Sequence, residues 1–274
     1  TDQDQLGIFR FDETLSSMRR RTRSASQSAA SLLCTATTLM LLALSISACS
    51  GERYTQIMNA ARDGNNEAVL RALEFGADVN EHTSQGKTAL MLAASNGHTE
   101  TVQLLIDKGA KIDSRDSYET TAIIVAATAG RTDAAALLAK LGADPTHQDT
   151  SGGSAFINAA FFGHTETFNA LLKNSKIPLP KDQGEELLLL ASGLGHLEIA
   201  QALLKHGVDA NARGVKQRSA LLAATAFKKK DMVELLLQNG ADPEAVDADG
   251  QSALSVATEK GYDDIAKLFN NPAQ

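Results

Sequence analysis

Thr88-Ala89-Leu90-Met91-Leu92-Ala93-Ala94-Ser95-Asn96-Gly97-His98 reads as one short helix with a punctuation mark at each end. Thr88 can accept a backbone N–H of the first turn. Ala93 and Ala94 leave room for a neighbouring helix to come close, and Gly97 suits the left-handed position that closes a helix. The run recurs as Thr121-Ala122-Ile123…Ala126-Ala127…Gly130 and Ser154-Ala155-Phe156…Ala159-Ala160…Gly163-His164. Further copies are Leu188…Ala191…Gly195-His196, Ser219-Ala220-Leu221…Ala224 and Ser252-Ala253-Leu254…Ala257…Gly261, with a partial first copy at Ile57–Gly64. The glycine position falls at 64, 97, 130, 163, 195, 228 and 261, with Lys228 the one substitution, so the spacing is 33 throughout except for a single 32. Each copy continues into an apolar run such as Leu104-Leu105-Ile106 or Leu235-Leu236-Leu237. A turn follows: Gly76-Ala77-Asp78, Gly109-Ala110-Lys111, Gly142-Ala143-Asp144-Pro145, Gly207-Val208-Asp209 or Gly240-Ala241-Asp242-Pro243. A period of this length marks a stack of supersecondary units, none of which can bury its apolar faces alone.

These residues resemble the ankyrin repeat, whose pattern runs Gly-x-Thr-Pro-Leu-His-x-Ala-Ala-x-x-Gly-His, then Val-x-x-Leu-Leu, then Gly-Ala-Asp. The resemblance spans about 54–270 and implies an all-α repeat solenoid of about seven repeats, each a helix-turn-helix plus a β-hairpin turn, with 271–274 as a tail. Alanine stands for the family's proline at Ala89, Ala122, Ala155, Ala220 and Ala253, and Met91 and Ile124 stand for its histidine. Thr99-Glu100 and Thr165-Glu166 are placed to start second helices whose leucines face inward. One joint departs from the pattern: Asn174-Ser175-Lys176-Ile177-Pro178-Leu179-Pro180 replaces the Gly-Ala-Asp turn. Its prolines remove donors and favour extended chain. A degenerate hairpin, a recognition loop and a changed stacking angle all fit that joint.

Upstream of the repeats the sequence is an address. Met18-Arg19-Arg20-Arg21-Thr22-Arg23 leads into an apolar stretch from Leu32 to Ile46, the order of a secretory signal. Ile46-Ser47-Ala48-Cys49 then resembles a bacterial lipobox. That resemblance implies cleavage before Cys49, its lipidation, and a lipid anchor facing the periplasm. An ordinary signal peptide or a short anchor helix is the alternative, and Ser50 leans towards the outer membrane. The expected division is 1–17 as an upstream segment of uncertain status, 18–48 as lipoprotein signal peptide, 49–53 as lipidated tether and 54–270 as repeat domain. Residues 49–274 hold 21 basic and 29 acidic side chains.

Composition narrows the function classes. The chain is 43% hydrophobic but only 4% aromatic, with no Trp, which suits closely packed small helices better than a sandwich or barrel. A net charge of −7 gives nucleic acid no footprint. Cys34 and Cys49 are the two cysteines, so the repeats hold no disulfide framework or thiolate metal site. His98, His164 and His196 fill the Gly-His slot of the repeat, and no hydrolase, kinase or dinucleotide motif occurs. The expectation is no enzyme, no metal and no cofactor.

Contact with another protein is the remaining role. In ankyrin proteins the hairpin tips and the exposed face of the first helix usually touch partners. Here those slots hold Arg115, Tyr118, Phe161, Phe162, Leu194, Lys216, Arg218 and Phe227, among polar neighbours. Aromatics and arginine are the commonest hot-spot residues. Phe161 and Phe162 are adjacent on a helix, point about 100° apart, and are expected to be unequally buried; either ring can instead tuck between helices. Lys228-Lys229-Lys230 is expected to be a solvated turn, with anionic lipid or an acidic partner as the alternative. The expected function is a membrane-tethered, exported module for protein–protein interaction in the cell envelope. Neutralising a periplasm-acting toxin, as an immunity protein does, and serving as a host-directed effector are the alternatives.

Overall fold

Residues 54–270 are described by a computed structural model; Cys49 and the signal sequence lie outside them. Fourteen helices follow in antiparallel pairs: α1 (Gln56–Arg62) with α2 (Asn66–Glu74), α3 (Ala89–Asn96) with α4 (Thr99–Asp107), α5 (Ala122–Thr128) with α6 (Thr132–Leu141), and α7 (Ala155–Phe161) with α8 (Thr165–Asn174). The stack continues with α9 (Lys181–Leu194) and α10 (Leu197–Lys205), α11 (Ala220–Ala226) and α12 (Lys230–Gln238), then α13 (Ala253–Glu259) and α14 (Asp263–Asn270). First helices pack on first helices and second on second, giving two rows with one continuous core between them.

Small and large side chains divide the packing. The paired alanines of the first helices, from Ala93 and Ala94 to Ala159 and Ala160, are buried where neighbouring helices touch. The second helices supply bulk at one repeating position: Leu105, Leu138, Leu171, Leu203 and Leu236 are all fully covered. In repeat four the same layer holds Phe156 and Phe168, edge to face with centroids 5.6 Å apart. Thr88, Ser154 and Ser219 cap their helices by accepting from the N–H groups of Met91, Ile157 and Leu222. Ser252 forms a capping box with Ser255. Thr121 is buried but does not cap, and its hydroxyl has no hydrogen-bond partner.

Successive repeats are locked together by the residue that follows the glycine position, from His98 to Lys229. His98 Nε2 donates to Arg62 O at 2.9 Å and His164 Nε2 to Thr128 O at 3.2 Å, each reaching back to the last turn of the preceding first helix. Arg131 does the same work with Nε donating to Ser95 O at 3.1 Å. The rings lie so close that a Cβ on Gly64 would fall 2.5 Å from His98 Nδ1, which, with its φ of +70°, explains the glycine. His196 and Lys229 occupy the same slot against Gly163 and Gly195. The basic run is thereby accounted for within the stack: Lys228 takes the left-handed glycine position at φ 55°, with Nζ 5.2 Å from the Tyr262 ring centroid. Lys230 pairs with Glu234 at 3.6 Å.

Two expectations are corrected. The β-hairpins are reduced to isolated bridges, His82 with Thr88 and Arg213 with Ser219, and no strand forms among the described residues. What stands there instead are tight loops, here termed fingers and numbered by the repeat whose first helix they precede. The chain closes on itself from Thr83 N to Lys87 O in finger two, from Asp116 N to Thr120 O in three and from Asp149 N to Gly153 O in four. Gly214 N to Arg218 O closes finger six, and Asp247 N to Gln251 O finger seven. Their residue span is too short for a ladder. The irregular joint is not a degenerate hairpin either. Repeat five has no finger, and α9 runs 14 residues, starting about two turns before its counterparts.

Candidate functional site

Four of the five fingers are built on a carboxylate or hydroxyl at their first residue; finger six begins with Gly214. Asp116 Oδ1 accepts from Tyr118 N and Thr120 N, both at 2.8 Å. Asp149 Oδ1 accepts from Ser151 N and Gly153 N, and Asp247 Oδ1 from Asp249 N and Gln251 N. Thr83 does this with its hydroxyl. Such side-chain-to-backbone bonds satisfy tight loops that have no ladder. The tips are joined in turn: Ser117 N donates to Gln85 O at 2.8 Å, Thr150 N to Tyr118 O at 2.9 Å, and Ala248 N to Lys216 O at 2.7 Å.

On this frame the residues singled out in the sequence fall into two places. Tyr118 stands at the tip of finger three and is 57% exposed. Arg115, at the base of that finger, is exposed and donates to Glu119 Oε2 at 2.9 Å. Lys216, at the tip of finger six, lies 3.9 Å from Asp249. Phe161, Phe162, Leu194 and Phe227 lie at the opposite end of the first helices, at the C-terminal ends of α7, α9 and α11. Those three helices are consecutive neighbours, so these four residues form a row, about 10 Å of helix away from the fingers. The chain therefore does not carry one aromatic stripe from Tyr118 to Phe227.

Phe227 is 40% exposed. Phe161 and Phe162 are both half-buried, Phe161 packing on the core while Phe162 lies just beyond the last helical residue. Its ring meets Phe161 edge to face at 5.2 Å and stacks on His164 at 6.0 Å. Phe161 and Leu194 pack against the core and present an edge. Arg218 is placed differently from the rest. Its side chain is only 12% exposed and its Nε lies 3.8 Å from Asp247 Oδ2, a fully covered carboxylate, so it ties finger six to finger seven.

Three exposed apolar groups were not singled out: Phe75 at 87%, Val246 at 51% and Leu70 at 37%. Phe75 fills the slot before the glycine of the Gly-Ala-Asp turn, where other repeats carry Lys108, Leu141, His206 or Asn239, and being the one phenyl ring there is its sequence signal. Between fingers three and four, Asp113, Arg115, Thr121, Asp144 and His147 line a cavity of about 80 Å³. Its polar groups serve the joint: Asp113 Oδ1 accepts from Asp144 N, and His147 Nε2 hydrogen-bonds Glu119 O at 2.9 Å. Thr121 Oγ1 lines the cavity without a hydrogen-bond partner, unlike Thr88, Ser154 and Ser219 at the same position of their repeats. Among the described residues no group of three or more His, Cys, Asp or Glu side chains is placed to hold a metal. No described helix is long and apolar enough to cross a membrane.

The family of ankyrin repeats (3 copies) matches residues 57–149, 141–214, 156–247 and 213–273. Among solved structures, the human ASB11 ankyrin repeat domain superposes with a TM-score of 0.68 at 22% identity, covering 81% of this chain and 99% of that one. The ankyrin repeat domain of Bcl-3, a member of the IkappaB protein family, gives 0.69 at 24%, covering 79% and 98%. At these identities both likenesses show the fold alone. No curated protein sequence matches significantly. Seven phased repeats, the back-reaching ladder after the glycine position and the family match covering most of the chain lead to one conclusion: this chain belongs to the ankyrin-repeat family.

Proposed function

We propose that this chain is a lipid-anchored ankyrin-repeat module of the bacterial envelope that binds another protein through its finger tips and the exposed ends of its first helices. The observation that carries the binding is the exposure of Tyr118 and Phe227, at 57% and 40%, on the finger tips and first-helix ends; Phe75, more exposed still, lies at the end of a second helix. Exposed aromatics held on rigid elements supply contact area at low entropic cost, which is what hot spots need. Arg115 and Lys216 beside the fingers add charge, and Phe161, Phe162 and Leu194 complete the second contact region. Arg218 supports finger seven in this reading and makes no contact of its own.

Affinity capture from an envelope extract tests the binding. Tyr118→Ala and Phe227→Ala are each expected to lower partner recovery about tenfold, while surface truncation shifts stability by no more than about 0.5 kcal/mol. A large fall in Tm with recovery intact would make these rings structural. The anchor has a separate check. Cys49→Ala is expected to move the chain from the detergent-soluble membrane fraction to the soluble periplasm, because acyl chains contribute about 0.8 kcal/mol per buried methylene. Unchanged fractionation would refute lipidation at Cys49.

A further inference from the structure

The row of finger tips is interrupted once, and the interruption has a defined register. The tip acceptors Gln85, Tyr118 and Lys216 correspond to Ser151 in finger four and to Gln183 in repeat five. Gln183 lies inside α9, so nothing there continues the row. The early turns of α9 are drawn towards the core side: Gly184 sits so close to Val208 and Leu179 that a Cβ would fall 3.0 and 3.6 Å from their methyls. Among the described residues no backbone hydrogen bond leaves finger four towards repeat five. Finger four thus ends in an exposed tip at Ser151, and finger six begins against Leu189 of α9 with no preceding finger tip beside its own.

Finger six is shaped by α9, which stands where a fifth finger would. Gly214 takes the place held by Thr83, Asp116, Asp149 and Asp247 in the other fingers, because a Cβ there would lie 2.3 Å from Leu189 Cδ2. Lys216 adopts left-handed backbone at φ 58°, beside Gln217 at φ 59°, whose register is left-handed in every finger (Gly86, Glu119, Gly152 and Gly250). Non-glycine residues in that region carry strain, which persists where the surroundings hold it. The charges are sorted as well. Arg213 donates to Val246 O at 2.8 Å, and Lys216 and Arg218 face Asp249 and Asp247, so the cations of finger six are turned towards finger seven. At the vacant register the exposed Asp182 and the partly exposed Glu185 stand in place of a tip, the latter 3.7 Å from Lys181.

We propose that an extended, basic segment of the bound protein docks in this vacant finger register, between fingers four and six. Its backbone N–H meets Ser151 O as the tip of a fifth finger would, and its Lys or Arg side chains meet Asp182 and Glu185. Main-chain bonds then supply affinity and the carboxylates select the charge, as in strand-addition recognition. This rests on the reading of the chain as a protein-binding module.

The probe is a fluorescein-labelled octapeptide of alternating lysine and threonine, titrated into the full chain in detergent. Binding is expected to weaken about tenfold in the Asp182→Lys/Glu185→Lys double variant. A comparable loss is expected when alternate amides of the peptide are N-methylated, an arm that uses the unaltered chain and so does not depend on how the variant folds. Amide exchange should slow within residues 149–153 and 214–218. Equal binding of a glutamate–threonine octapeptide, insensitivity to N-methylation, or protection confined to other fingers overturns the proposal. None of these arms uses Tyr118 or Phe227, so their failure leaves partner capture through those rings standing, and failed capture leaves the octapeptide titration readable.

Discussion

Gln217 occupies the register that Gly86, Gly152 and Gly250 hold in three other fingers and Glu119 in finger three, and it does so at φ 59°. A left-handed L-residue costs roughly 1 kcal/mol. Gln217→Gly is therefore expected to stabilise the chain by about 0.5–1 kcal/mol, read as a higher urea midpoint at unchanged slope. Gly214 gives the opposite case, since Gly214→Ala drives a methyl into Leu189 and should cost about 1–3 kcal/mol. Pairing it with Leu189→Ala removes the clash but opens space in the core, so the two losses should not add. Neither residue announces itself in the sequence. Gly214 reads as one more loop glycine, and only the distance to a side chain 25 positions earlier shows why it is there.

At the scale of the element, the helices were legible because their signals are local. Thr88, Ser154 and Ser219 mark starts, Gly97 and Gly195 mark stops, and the alanine pairs mark the packed face. Phe168 in α8 shows what that face is worth: it is fully covered and edge to face with Phe156, so Phe168→Ala should cost about 3–5 kcal/mol in denaturant titration. The fingers and α9 were less legible. Whether Asn174–Pro180 makes a hairpin or a plain connection depends on whether Leu189 and Val208 leave space for one, a tertiary fact. The two contact regions escaped for a related reason. Tyr118 and Phe227 occupy analogous variable slots in sequence, yet one lies before a first helix and the other after one.

For the whole molecule, contacts run only between neighbours, so stability is a sum over repeats and their interfaces. The period of 33 made this legible at once, whereas the partner is not written in any period. Amide exchange should be slowest in the central repeats, where each helix has a neighbour on both sides, and fastest in α1 and α14. Uniform protection from end to end would contradict a one-dimensional stack.

The ladder after the glycine position gives that stack a direction of growth. His98, Arg131 and His164 each reach backwards to close the helix before them, so each of the first three repeats is finished by its successor. Shortening the chain from its C-terminal side uncaps the repeat that becomes last, leaving carbonyls that had accepted a side-chain N–H. Shortening it from the N-terminal side strands only a donor that solvent can reach. Nothing lies within 4 Å of the position a Cβ would take on Gly261, so among the described repeats the seventh is the one whose slot is open. A consensus repeat appended after α14 with histidine in the ladder slot should raise the urea midpoint, whereas the same repeat placed ahead of α1 should gain less.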